Sequence, residues 1–193
     1  MASSLRLFMA MKNQKKLVAA VVLAAAVVAG QWHHPDRSAA AVEVAPGAVA
    51  ETDRSVMNEL VAAFDRAEVA VQHADPDALM LFYAKGYNYH GLKRPDVRRV
   101  WSEVFTHYAQ VMSKHVFTDL RVVKSGAGWK AFVSCTGGLY GTEKETGKSI
   151  TIDNWVREVH SLVKEKAGWK FLGNVGGASP AAPPAGAPHH PLF

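Results

Sequence analysis

Asp75-Pro-Asp-Ala-Leu-Met-Leu-Phe-Tyr83 reads as a complete short helix. The Asp75 carboxylate is placed to accept from the free N–H groups of a first turn, and Pro76 supplies the helical φ at the first position. Leu79, Met80, Phe82 and Tyr83 give the segment an apolar side, and Gly86 stops it. Upstream, Val56, Leu60, Ala63, Phe64, Ala67 and Val71 recur at helical spacing with Thr52 or Asp53 as cap, which predicts an amphipathic helix to about His73. Downstream, a third helix is predicted from Pro95-Asp96, with Val97, Val100, Trp101, Val104, Phe105, Tyr108, Val111 and Met112 on its apolar face. Tyr87 to Leu92 is expected as a short strand between the second and third helices.

The remainder alternates with period two, the mark of strands. Val116, Thr118, Leu120 and Val122 form one face of a strand ending at Ser125-Gly-Ala-Gly128, and Trp129, Ala131, Val133, Cys135 and Leu139 form one face of the next. From Ser149 to Lys164 a long strand carries Ile150, Ile152, Val156 and Leu162 on one side and Trp155, Val159 and Val163 on the other. Trp169-Lys-Phe171 follows the turn at Ala167-Gly168.

Of 193 residues 49% are hydrophobic and 20% charged, so most of the chain is neither disordered nor fibrous. The formal charge of +5 is carried by the start of the chain: taking Arg6, Lys12, Lys15 and Lys16 from the 22 basic residues leaves 18 against 17 acidic ones. No basic footprint for nucleic acid remains. Met11-Lys-Asn-Gln-Lys-Lys16 is instead a basic n-region, and the uncharged run Leu17 to Gly30 is an h-region, too short for the roughly 20 residues that a spanning helix takes. The expectation is a signal peptide over 1–30, cleaved after Gly30 or as late as Ala41, and a periplasmic or secreted protein with no stable membrane span. An uncleaved anchor with Trp32 at the interface is the alternative. Residues 31–52, rich in Ala, Val and Pro, and the Pro/Ala-rich 176–193 read as a flexible linker and tail around one domain, 53–175. The single cysteine, Cys135, excludes an intramolecular disulfide and reads as a buried thiol.

The order helix, short helix at Asp75-Pro-Asp77-Ala-Leu-Met-Leu-Phe-Tyr83, short strand, long helix and hairpin-linked strands closing on Gly168-Trp-Lys-Phe171 resembles the nuclear transport factor 2-like (NTF2-like) superfamily, and its SnoaL-like branch in particular. The resemblance covers about 53 to 175. It implies an α+β, cone-shaped, cystatin-like/NTF2-like fold, with three N-terminal helices packed on a strongly curved, mostly antiparallel sheet. It also implies an apolar pocket and sheet-to-sheet dimers. Members include isomerases, polyketide cyclases, dehydratases, ligand-binding modules and dimerisation domains, so function rests on the residues of the site. The position of the carboxylate base in the ketosteroid isomerase branch corresponds here to Gly91, and that of the oxyanion-stabilising tyrosine to Ala67, so this chemistry is not supported.

His90, beside Gly91, is the acid/base candidate, because imidazole titrates near neutral pH. Asp153 or Glu158 is its prospective partner; pairing with Arg157 across a solvated face is their other reading. The two carboxylates have opposite parity on the long strand, so only one is expected to face the pocket. Tyr83, Tyr89, Trp101, Phe105, Phe117 and Trp155 are the candidate ligand-binding rings, combining apolar area with polar tips; core packing is their other reading. His33-His34 and His189-His190 lack structural-zinc spacing, although a mature start at Gln31-Trp32-His33 offers a nitrogen set suited to Cu(II) or Ni(II). Neither a metal within the domain nor an organic cofactor is expected. The reading is an exported domain that binds a small apolar or amphipathic molecule or acts as an interaction module; the alternative is a SnoaL-like isomerase, cyclase or dehydratase using His90. A homodimer through the sheet is expected, with Trp155, Val159 or Val163 near its axis.

Overall fold

A computed structural model of the chain describes residues 42–89 and 91–175. His90, the signal region, the histidine pairs and the tail after Val175 lie outside the described residues. The order is β1 (Val42–Glu51), α1 (Arg54–Gln72), α2 (Pro76–Leu79), α3 (Arg94–His107), β2 (Tyr108–Ser125), β3 (Gly128–Glu143), β4 (Ser149–Glu165) and β5 (Gly168–Val175). The strands form one curved sheet in sequence order; β1 runs parallel to β2 and every other pair is antiparallel. This is an α+β fold with a mixed five-stranded sheet, and its first described element is a strand rather than a helix.

The helix starts follow from their caps. Asp53 accepts from the Val56 N–H at 2.9 Å, and Asp75 Oδ1 accepts from the N–H groups of Asp77 and Ala78 at 3.0 and 2.9 Å. Leu60, Ala63, Phe64, Ala67 and Val71 of α1 are buried, as their spacing requires. Phe64 is the centre of the core, its ring 5.0 Å from those of Phe82, His115 and Phe117 and 5.8 Å from His160. Glu68, one turn further along, is buried and accepts from both the backbone N–H (2.9 Å) and the hydroxyl of Ser113, which ties α1 to β2.

Four sequence expectations are corrected. Residues 42–51, read as linker, are an edge strand; Val42 alone in it is buried, and Pro46 with Gly47 (φ 83°) interrupts its register, which hides the alternation. The third helix ends at His107, not Met112. Tyr108 is already extended (φ −118°, ψ 145°), because pairing of residues 108–112 with Tyr140–Glu143 outweighs a helical period that continued by coincidence. Tyr87 to Leu92 is not a strand; its described residues form a single bridge, between Tyr89 and Leu92. The sides assigned to β2 and β4 change midway, because bulges between Phe117 and Asp119 in β2 and at Arg157 in β4 each insert an extra residue. Val111, Ser113, His115 and Phe117 therefore face inward together with Leu120, while Val116 and Thr118 do not.

Among the described residues no helix is long and apolar enough to cross a membrane.

Candidate functional site

The concave face of the sheet holds the polar side chains that the fold brings together, and β4 supplies its two carboxylates. Cys135 pairs with Glu158, Gly137 with Trp155, and Leu139 with Asp153. One residue of β3, Thr136, thus opposes two of β4, Val156 and Arg157, with Arg157 at φ 54°. Residues 135, 137 and 139 lie on one side of β3, and Cys135 and Leu139 are fully buried. Their partners Glu158, Trp155 and Asp153 consequently share that inner side. The expectation that only one of the two carboxylates faces inward is overturned by this bulge.

Around them the geometry is specific. The Tyr89 hydroxyl donates to Glu158 Oε1 at 3.1 Å, crossing from the α2–α3 connection to the sheet. Burial pushes the Asp153 carboxyl up to about 6; the Asn154 N–H at 2.8 Å opposes this and the Glu158 charge adds to it. Tyr89 is raised too, by burial first and then by Glu158. Asp153, Glu158 and Tyr89 are all half-buried, so this group sits at the rim of the concave face where solvent reaches it.

Deeper lie groups that the sequence reading passed over. His115 and His160 are buried beside Cys135, with His115 Nδ1 3.5 Å from Cys135 Sγ. The Trp155 indole N–H donates to the same sulfur at 3.3 Å, and His160 Nδ1 donates to Asn174 Oδ1 at 2.8 Å. Burial lowers both histidines, His160 to about 4 and His115 well below the usual range, so both rings are neutral; it pushes the Cys135 thiol up to about 12. His160 shares parity with the recognised core residue Leu162, which was the available signal for it. No such signal existed for His115 once the helix had been extended to Met112.

The six predicted rings fall into two environments. Tyr83, Trp101, Phe105, Phe117 and Trp155 are buried, and Tyr89 is half-buried. Trp101 donates its indole N–H to the Tyr83 hydroxyl at 2.8 Å and stacks on Phe105 at 5.4 Å, on the helix side. Trp155 packs on His115 at 5.1 Å, on the sheet side beneath the carboxylates. Trp155 therefore points inward. A separate groove of about 280 Å³, lined by Val49, Arg121, Phe132, Ser134 and Val159 among others, contains none of the predicted site residues.

Compared with known proteins, the chain matches no family model, and no curated protein matches it significantly. Solved structures do resemble it. One is an NTF2-like family protein from Streptomyces avermitilis described as a dehydratase, at 14% identity and a TM-score of 0.49, covering 64% of this chain and 95% of that one. A ketosteroid isomerase-like protein from Erwinia carotovora atroseptica has 18% identity and a TM-score of 0.42, over 64% and 99% of the two chains. A protein from Novosphingobium aromaticivorans described as a scytalone dehydratase has 10% identity and a TM-score of 0.46, over 60% and 78%. At these identities no activity passes from the NTF2-like neighbours to this chain.

Proposed function

We propose that the protein is an exported NTF2-like domain whose concave face binds a small amphipathic molecule, with its polar end at Tyr89, Glu158 and Asp153. One observation carries the reading: the β4 bulge turns two carboxylates and Trp155 to the same inner side, joined by the Tyr89–Glu158 hydrogen bond at 3.1 Å. Half-buried carboxyls over an aromatic floor form an apolar site with a few convergent polar groups, the usual make-up of a small-molecule site. The basic n-region and apolar run before Gln31 support export. Native mass spectrometry of the chain purified from its own host tests the reading. The expected result is an added mass released on denaturation and reduced in a Tyr89→Phe, Glu158→Gln double variant; an unliganded mass from the host, or equal retention by the variant, contradicts it.

Acid–base catalysis on a carbonyl- or alkene-bearing substrate is the second reading, favoured by an Asp153 that titrates near 6, close to working pH. Asp153 then takes the role first assigned to His90. Deuterium exchange into an enolisable ketone, followed by NMR, supports this reading if it is lost in Asp153→Asn, and excludes it if it matches the buffer rate.

A homodimer through the outer sheet face belongs to the same proposal. Val156 on that face is 75% exposed, with Val159 and Val163 beside it, whereas Trp155 belongs to the interior. Sedimentation equilibrium of the exported chain, with Val156→Lys as the weakened form, tests it, and a monomeric wild type at micromolar concentration overturns it.

A further inference from the structure

His115, Cys135 and His160 come from three adjacent strands, and their ligand atoms lie within 4.8 Å of one another. We propose that these three side chains form a buried site for a single Cu(I) ion. The inference goes beyond the amphipathic-ligand reading and does not depend on it.

The donor set is the first argument. One thiol and two imidazoles are the ligands that soft first-row ions select, and with no oxygen donor the set does not suit Mg²⁺ or Ca²⁺. The second argument is an orphaned atom. His160 is fully buried; its Nδ1–H is committed to Asn174 Oδ1, and its Nε2 has no hydrogen-bond partner among the described residues. A buried acceptor left this way is costly, and a carbonyl that holds the other ring nitrogen, fixing the tautomer of a ligating histidine, is what a metal site needs. Asn174 holds that position.

Charge and coordination number choose the ion. Phe64, Phe171 and Trp155 pack directly on the imidazoles, so the site is apolar. Binding Cu(I) exchanges the thiol proton for the metal: the S–H bond breaks, an S–Cu bond forms, one proton leaves and no electron moves. The product, a monovalent ion on one thiolate and two neutral imidazoles, carries no net charge. A divalent ion on the same ligands leaves one uncompensated positive charge in an apolar interior, which is strongly unfavourable. Structural Zn²⁺ also takes four protein ligands, whereas three side chains form this group among the described residues, and Cu(I) is stable with three. The Trp155 N–H, already aimed at the sulfur, stabilises the thiolate once it forms. Metal–nitrogen and metal–sulfur distances of about 2.1 and 2.3 Å require ligand atoms roughly 3.5 to 4 Å apart, so the set closes by less than about 1 Å on binding.

The test equilibrates the reduced full chain with Cu(I) under anaerobic conditions, in competition with bathocuproine disulfonate. The expected result is one Cu(I) per chain, with an X-ray absorption shell of one sulfur and two nitrogens. Affinity should fall at least about 100-fold in Cys135→Ser and in His160→Gln, and about 10-fold or more in Asn174→Leu, which leaves all three ligands in place. The absorption measurement on wild type needs no variant and stands if a substitution impairs folding. A shell without sulfur, copper retained equally by Cys135→Ser, or Zn(II) displacing Cu(I) overturns the proposal.

Discussion

Asp153→Asn should flatten the pH dependence of stability in a definite direction. The carboxyl titrates near 6 in the folded chain against 3.8 for an ordinary aspartate, with burial as the main cause and Glu158 as a further one. A carboxyl raised on folding holds its proton more tightly in the folded state. Its stabilising contribution is therefore complete below about pH 4 and is lost as pH rises through 6. For a group sealed from water, a shift of this size is worth roughly 3 kcal/mol. Asp153 is half-buried, and solvent screening reduces this to about 1–2 kcal/mol. Urea denaturation at constant ionic strength from about pH 4 to 7 should show wild type losing that much relative to Asp153→Asn, with carboxyl NMR placing the Asp153 midpoint near 6. Glu158→Gln should move the midpoint down, because it removes the like charge. Parallel stability curves together with a midpoint near 3.8 would refute the placement of the two carboxylates on one buried side.

Tyr83→Phe removes the hydroxyl that accepts from the fully buried Trp101 indole N–H at 2.8 Å and should cost about 0.5–1.5 kcal/mol by denaturant unfolding. Gly137→Ala should destabilise by about 1–3 kcal/mol or more and shift the Trp155 emission, because a Cβ there collides with the Lys114 carbonyl oxygen and lies 2.8 Å from the Trp155 ring. Metal-free Cys135, buried and with its thiol pushed up to about 12, should resist iodoacetamide at neutral pH until the chain is unfolded; rapid native labelling would contradict its burial. The intact mass of the exported protein should begin at or before Val42, where β1 starts, and the full chain in the cytosol would contradict export.

The starts of the first two helices were legible because each carries its own cap: Asp53 and Asp75 cap as read, and the α1 spacing from Leu60 to Val71 marks the buried side, whereas the second helix ends at Leu79 rather than running on through Tyr83. The inner face of β3 was legible for the same reason, since Ala131, Val133, Cys135 and Leu139 alternate without a break, although Trp129 at its end is 50% exposed. The site was not. Its residues are set by bulges in β2 and β4, and a bulge changes which side every later residue faces without leaving a mark in composition. Counting by twos placed Asp153 and Glu158 on opposite sides and Val116 inside, where the register puts both carboxylates inward and His115 in the core. Tyr89 reached Glu158 across the fold through a turn, a contact 69 positions apart that no local pattern announces.

The indole N–H resonances of the chain offer the most direct test of the concave face as the binding surface. Trp155 lies beneath Asp153 and Glu158 with its N–H on Cys135, and Trp129 lies half-exposed at the far end of β3. Titration with Nile red, a neutral amphipathic probe, followed by nitrogen–proton correlation NMR, should shift the Trp155 signal in a saturable one-to-one manner and leave Trp129 unchanged. A shift confined to Trp129, or a Trp155 signal that does not move at saturating probe, would contradict a binding site on the inner face.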